Sequence, residues 1–356
     1  MKRVLIANIF GIGDVLFTTP LMASLRKEFP GIEIDYLANA RTRELVSCIP
    51  GVREVFVYEK DDFVRLWKTK KADWARETWK LFSGIRENKY DAVFDFTLSR
   101  KFGGIFAFAG IKKRIGLDYK KRGTFLTHRM KLEGFFDKHV AEYYLELLEN
   151  IGIRSSEKKM TLVPPPELAA WTDEYLSTRG LDANRLIAVI PGGGASWSSH
   201  SYRKRWHPEG FAAVSRILAE SGWQVIVLGD ASEKELSRSI DEMTGEEAIF
   251  TENNLDLRKY ISLLSRCRVA LCNDGGPLHM AVALGLKTVS IFGPVDPVVY
   301  GPYPASDDHR VVASHGLFCR PCYKRFKLPR CQEDMRCLTE IEPEIVAGEC
   351  AELLRK

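Results

Sequence analysis

Three short stretches pair glycines with charged or titratable side chains, and each suits a phosphate-bearing ligand. The first is Gly11-Ile12-Gly13-Asp14. Glycines let backbone N–H groups come close to a ligand, and the N-terminus of a following helix favours negative charge. A dinucleotide fingerprint would add a third glycine, where Leu16 and Phe17 stand, and an acid after the second strand, where Leu37-Ala38-Asn39 has none. Nicotinamide chemistry is therefore disfavoured. Asp14 has two readings: a helix N-cap, a common use of aspartate, and a general base that takes a proton from a hydroxyl. One side chain can serve as both.

The second stretch is Pro191-Gly192-Gly193-Gly194-Ala195-Ser196-Trp197, which runs on to Arg203-Lys204-Arg205-Trp206. Such a loop can wrap a pyrophosphate while a lysine neutralises it; the competing reading is a solvated surface loop. The third is Cys272-Asn273-Asp274-Gly275-Gly276-Pro277-Leu278-His279, in which two glycines expose amides beside an acid. His279 falls in the first turn of a helix, a place that also suits a packed or capping histidine. A fourth cluster lies in the tail as Cys319-x2-Cys322-x8-Cys331-x5-Cys337. Its first pair has metal-ligand spacing, while the whole is not a standard zinc-finger pattern. A structural zinc or iron and plain reduced thiols are both open.

These stretches lie between strands and helices. Hydrophobic pattern and turn residues predict strands at 4–7, 32–37, 55–57, 92–96 and 114–117. Helices are expected at 14–28, over 62–88 as one or two pieces, and at 139–152. Pro164-Pro165-Pro166 marks a linker, because three prolines fit neither a helix interior nor a central strand. Beyond it, strands at 186–190, 224–228, 269–272 and 288–292 alternate with helices at 208–221, from 233, at 255–264, at 277–284 and at 343–354. Strand–helix alternation in both halves predicts an α/β chain with two parallel sheets covered by helices. The expected division is 1–163, 164–342 and a C-terminal helix, 343–356, packing back on the first domain. Open parallel sheets bind ligands beyond the C-terminal ends of their strands, so the expected site is a cleft between two such domains.

Composition narrows the choice of partners. The 356 residues carry 52 Lys+Arg against 47 Asp+Glu, a net charge of +5. That is too mild for nucleic acid and fits phosphates or an anionic membrane face. No apolar run reaches the roughly 18 residues of a spanning helix. Met1-Lys2-Arg3 leads into Val4-Leu5-Ile6-Ala7, which reads as a first strand and not a signal peptide. A cytoplasmic location is expected, and the eight cysteines are then mostly thiols. Basic clusters at 68–71, Lys112-Lys113-Arg114 and Lys120-Lys121-Arg122 lie in the N-terminal half, with Trp67, Trp74 and Trp79 nearby in sequence. They suit a lipid-linked acidic glycan at the inner face of the cytoplasmic membrane; a solvated face with tryptophans in a core is the alternative.

Read together, these residues resemble glycosyltransferase family 9, the ADP-heptose:lipopolysaccharide heptosyltransferases. The similarity runs nearly end to end. In the first half it is carried by Ile12-Gly13-Asp14-Val15 with Thr18-Thr19-Pro20, and by Arg114-Ile115-Gly116 with Arg122-Gly123. In the second half it is carried by Pro191-Gly192-Gly193, Lys204-Arg205-Trp206, Gly229 with Glu233, Asp274-Gly275-Gly276 with His279, and Phe292-Gly293-Pro294 with Pro302. The resemblance implies the GT-B fold, two Rossmann-like domains facing across a cleft, with the nucleotide sugar on the C-terminal domain. It also implies an inverting transfer of heptose from ADP-heptose to the lipopolysaccharide inner core, with no metal in the chemistry. By motif match, Asp14 is the catalytic base and Lys204 meets the donor phosphates. Glu233 lies near the ribose, and Asp274, Gly275, Gly276 and His279 line the pyrophosphate and sugar. Gly13, Gly192 and Gly193 form loops near the phosphates. Cysteine-rich tails also occur among similar members.

The sequence departs from the family pattern in two places. Many relatives have Ser or Thr where Gly275 stands, and the loop 194–202 has no firm match. Donor identity is therefore less constrained than fold. The alternatives are another nucleotide sugar, another acceptor such as a surface glycan or protein, and a non-catalytic nucleotide-binding module. A second acid, Asp95 or Asp118, is the alternative base.

Overall fold

The computed structural model describes residues 1–193, 195–245 and 249–355, with the backbone alone at 195–199. Gly194, part of the expected phosphate loop, lies outside the described residues. The chain divides into two compact units, Met1–Phe135 with Val140–Thr161, and Phe136–His139 with Leu162–Lys356.

The first unit holds a six-stranded sheet of β1 (Arg3–Ala7), β2 (Glu33–Ala38), β3 (Val52–Val57), β4 (Ala92–Asp95), β5 (Lys113–Tyr119) and β6 (His128–Leu132), ordered 3-2-1-4-5-6. The second unit repeats the plan with β7 (Leu186–Ile190), β8 (Gln224–Leu228), β9 (Ile249–Glu252), β10 (Val269–Asn273), β11 (Lys287–Ile291) and β12 (His309–Val312), ordered 9-8-7-10-11-12. Every pairing is parallel. Parallel strands covered on both faces read as continuous apolar runs. Leu-Ile-Ala-Val-Ile of β7 is buried throughout, and so is Val-Ala-Leu-Cys-Asn of β10. Each fully buried aliphatic side chain contributes roughly 1.5–3 kcal/mol, so these central strands anchor their units. The architecture is the two-sheet α/β class expected for GT-B.

One expectation changes. The helix predicted over 14–28 is two, Ile12–Leu16 and Thr19–Glu28. Pro20 has no N–H to give the Leu16 carbonyl four residues back. The Thr19 hydroxyl donates to that carbonyl instead, at 2.7 Å, and the chain turns at Phe17-Thr18. The C-terminal helix, Pro343–Arg355, buries Val346, Ala347, Cys350 and Leu353 in the second unit's own core, beside Val189, Val289 and Ile291. These buried residues make the helix part of that core.

Candidate active site

In both units the strand order reverses beside the first strand, between β1 and β4 and between β7 and β10. Such a switch point opens a crevice beyond the strand C-termini.

At the first switch point the loop after β1 carries Asp14. Two buried asparagines hold this loop. Asn8 donates from Nδ2 to the Asp14 carbonyl at 2.9 Å, and its Oδ1 accepts from the Phe10 N–H. Asn39, after β2, donates to the Ile9 and Phe10 carbonyls at 2.9 and 2.7 Å. Asp14 is not the N-cap expected of it. It is the third residue of the helix Ile12–Leu16, and its Oδ2 accepts from the N–H of the cap residue Gly11 at 3.3 Å. Gly13 lies inside the same short helix. Asp95 ends β4, buried, with Oδ1 accepting from the Thr97 N–H and hydroxyl at 2.9 and 2.7 Å. Burial pushes its carboxyl up to about 6, against the opposing pull of the Thr97 bonds. Asp118 instead accepts from the Gly123 N–H at 2.8 Å and shapes the turn after β5.

At the second switch point the loops after β7 and β10 meet. Asn273, the last residue of β10, donates to the carbonyls of Pro191 and Gly192 at 2.7 and 3.2 Å. Its Oδ1 accepts from the Trp206 N–H at 2.9 Å. Trp206 is buried against Phe211, with ring centroids 5.1 Å apart. A Cβ on Gly210 would collide with the Trp206 ring, so the helix beginning at Pro208 accepts that ring because residue 210 is glycine. This anchor fixes the chain that presents Lys204 and Arg205. Lys204 Nζ stands 2.6 Å from Asp274 Oδ2, and both side chains are nearly buried. Gly275 caps the helix Gly276–Leu284, which exposes its first amides at the same crevice edge.

Glu233, after β8, ties the glycine loop. Its Oε1 accepts from the Gly193 N–H at 2.8 Å and pairs with Arg205 at 3.0 Å, while Oε2 accepts from the Asp230 N–H at 3.3 Å. Arg205 also donates to the Gly193 carbonyl at 3.0 Å. A Cβ on Gly192 would run into the Glu233 carboxylate, and Gly193 has φ +96°, so both positions call for glycine. His279 is buried in the first turn of its helix. Burial, then the charges of His139 and Lys204, hold its pKa well below the usual histidine range, so the ring is neutral at pH 7. His139 contacts the Gly301 carbonyl at 3.1 Å and stacks on Tyr303.

The structure thus gathers Gly192, Gly193, Lys204, Glu233, Asp274, Gly275, Gly276 and His279 in one unit, and Gly13 and Asp14 in the other. Sequence reasoning missed Asn8, Asn39, Arg205 and Asn273 as positioning residues. For the three asparagines the available signal was a polar residue ending or following an apolar strand; Arg205 carried none beyond its place beside Lys204. Of the basic clusters, Arg114 is structural, donating to the Phe125 and Ile111 carbonyls. Trp67 and Trp79 are exposed at 51% and 64%, which removes the reading of both as core residues.

The model of glycosyltransferase family 9 (heptosyltransferase) matches residues 78–331, well over half of the sequence. The chain belongs to glycosyltransferase family 9. It is 25% identical over 378 residues to lipopolysaccharide heptosyltransferase 1 of Pseudomonas aeruginosa, across 99% of this chain and 98% of that one. The crystal structure of the family 9 glycosyl transferase from Veillonella parvula superposes with TM-score 0.82 at 22% identity, over 99% of this chain and 97% of that one. The E. coli ADP-heptose lps heptosyltransferase II superposes with TM-score 0.74 at 24% identity, over 100% and 99%. The fold is that of the family, and the chain is a glycosyltransferase. Among the described residues no helix is long and apolar enough to cross a membrane.

Proposed function

We propose that this family 9 enzyme transfers a heptose from ADP-heptose to the inner core of lipopolysaccharide with inversion at the anomeric carbon. The observation that carries the reading is the second switch point, where glycine loops, the first amides of a helix and Lys204 converge as a diphosphate would require. An arriving diphosphate competes with Asp274 for Lys204. Gly192 and Gly193, with Gly275 and Gly276, offer backbone to the phosphates. Asp274 and the neutral His279 face the pyrophosphate and sugar, and Glu233 lies on the ribose side.

In the reaction an acceptor hydroxyl oxygen bonds to the anomeric carbon as the bond to the ADP oxygen breaks. The leaving oxygen keeps the electron pair, and the hydroxyl proton passes to Asp14. Charge growing on the diphosphate is met by Lys204 and the amides, so the chemistry calls for no metal. The transition state carries oxocarbenium character.

The acceptor is lipid-linked, and the enzyme works in the cytoplasm at the inner membrane face. Helices Lys60–Thr69 and Lys71–Glu87 support this, with Val64, Trp67 and Trp79 exposed and Lys71 over the Trp67 ring. Aromatic rings among lysines suit an anionic interface. Mass-spectrometric detection of heptose added to heptose-free lipopolysaccharide tests the function. Transfer from ADP-heptose supports it. Transfer only from another nucleotide sugar, or only to another glycan or protein, overturns the assignment of donor or acceptor.

A further inference from the structure

We propose that Cys319, Cys322, Cys331 and Cys337 together bind one structural zinc or iron ion. All four thiols line a single cavity of about 20 Å³, although 18 positions separate the first from the last in sequence. That volume suits one ion or water. None of the four is in a disulfide. The Cys319–Cys322 spacing lets two sulfurs grip one ion, and the Met335 N–H donates to Cys331 Sγ at 3.3 Å, a bond that supports a thiolate ligand.

Charge is the second observation. Arg203 and Arg320 also line this cavity, and neither forms an ion pair among the described residues. Nη2 of Arg320 is buried with no hydrogen-bond partner among them. Glu333, the carboxylate at the wall, is paired with Arg336. Buried, unpaired cations are costly. Four thiolates around a divalent ion carry a net charge of −2, which these two guanidiniums balance.

The surrounding chain also has little regular structure. Between β12 and the short helix Arg336–Thr339 it has one isolated bridge, Lys324 to Lys327. A segment this long without regular structure is uncommon in a compact domain unless something staples it. Among the described residues no three His, Cys, Asp or Glu side chains are already drawn tightly enough to hold a metal. Binding therefore requires the four sulfurs to draw closer together. The staple would also brace the donor site. Arg203, next to Lys204, donates to the Pro329 carbonyl at 2.7 Å, and Arg320 donates to the Gly293 carbonyl at 2.7 Å.

The test uses the full chain purified under reducing conditions without chelator. Elemental analysis should find about one equivalent of zinc plus iron per chain. Iron would add a visible thiolate-to-metal absorption that zinc lacks. The reduced, metal-stripped chain should take up one Co2+ with the spectrum of tetrahedral thiolate coordination. Cys322→Ser and Cys337→Ser should lose bound metal; if they fail to fold, the cobalt titration of the unaltered chain still decides. Native metal near one equivalent or a tetrahedral cobalt spectrum supports the site. Less than about a tenth of an equivalent of metal together with no such spectrum overturns it.

Discussion

The two sheets share one strand order and open a crevice at the same topological place, yet the crevices are opposite in chemistry. At the first, Asp14 accepts from the Gly11 N–H, and Asp95 accepts from the Thr97 N–H and hydroxyl. At the second, acids face cations: Asp274 with Lys204, and Glu233 with Arg205. The scaffold fixes where a ligand goes, and a few loop residues fix what it meets there. A carboxylate within reach of a hydroxyl can take its proton. A cation whose protein partner is a carboxylate can exchange that partner for a phosphate. In the proposed reaction, activating a hydroxyl and stabilising a leaving diphosphate fall to different units.

The sharpest way to break this division is Asp14→Asn. Asparagine still accepts from the Gly11 N–H but cannot take a proton. Turnover at saturating donor should fall by about 10²–10⁴-fold, the usual worth of general base catalysis. ADP affinity should stay within a few fold, because the groups proposed to hold the donor belong to the other unit. A variant retaining more than about a tenth of the wild-type rate would show that Asp14 only shapes its loop. Asp95 would then be the next acid to test.

Asp95→Asn probes the same crevice through stability. The folded carboxyl is pushed up to about 6 by burial, above the ordinary range near 4. Stability tied to its protonated form is complete below pH 4 and is lost as pH rises through 6. Two pH units at about 1.4 kcal/mol each set a ceiling of about 3 kcal/mol on that loss. Asparagine keeps the Thr97 bonds without the buried charge. The variant should therefore gain on wild type in thermal midpoint from pH 4.5 to 7.5. Parallel pH curves for the two proteins would mean that Asp95 carries no such burden.

Much of this comparison was legible in the sequence, for identifiable reasons. The central strands are buried on both faces, so 186–190 and 224–228 could be read to the residue. The edge strands β6, β9 and β12 were not predicted. His-Arg-Met-Lys-Leu and His-Arg-Val-Val face solvent along one side and lack a continuous apolar run. The three glycine stretches could be found because close backbone approach demands glycine. What could not be read was which acid pairs with which cation. The Lys204–Asp274 contact spans 70 positions and depends on Trp206 and Asn273, whose roles appear only once the chain is folded.

Lys204→Ala breaks the second crevice and should give the converse of Asp14→Asn. ADP and donor affinity should drop by about 10–100-fold, as loss of a charge-assisted contact worth about 1.5–3 kcal/mol implies. The variant also leaves Asp274 buried without its cation, so a lowered thermal midpoint is expected. Lys204→Arg separates the two effects. It should restore the midpoint through Asp274 and recover ADP affinity only in part, because a planar fork replaces a compact ammonium. Unchanged ADP affinity in Lys204→Ala, measured by calorimetry, would remove lysine from the phosphate site.

The smallest expected effect comes from adding a group. Gly275 sits at the cap of the helix Gly276–Leu284 with extended backbone, φ 161° and ψ −171°, which a side chain can adopt. Gly275→Ser therefore places a hydroxyl at the helix N-terminus without forcing a left-handed conformation. Two consequences can be told apart. As a cap, serine improves on glycine by only a few tenths of a kcal/mol, which would appear as a slightly higher midpoint in the absence of ligand. As a phosphate donor, it adds one hydrogen bond worth about 0.5–1.5 kcal/mol, a two- to tenfold gain in ADP affinity. Both gains should appear if the second crevice holds the diphosphate against this turn. A higher midpoint with unchanged ADP affinity would leave serine as a cap alone and move the phosphates away from Gly275, toward Gly192 and Gly193.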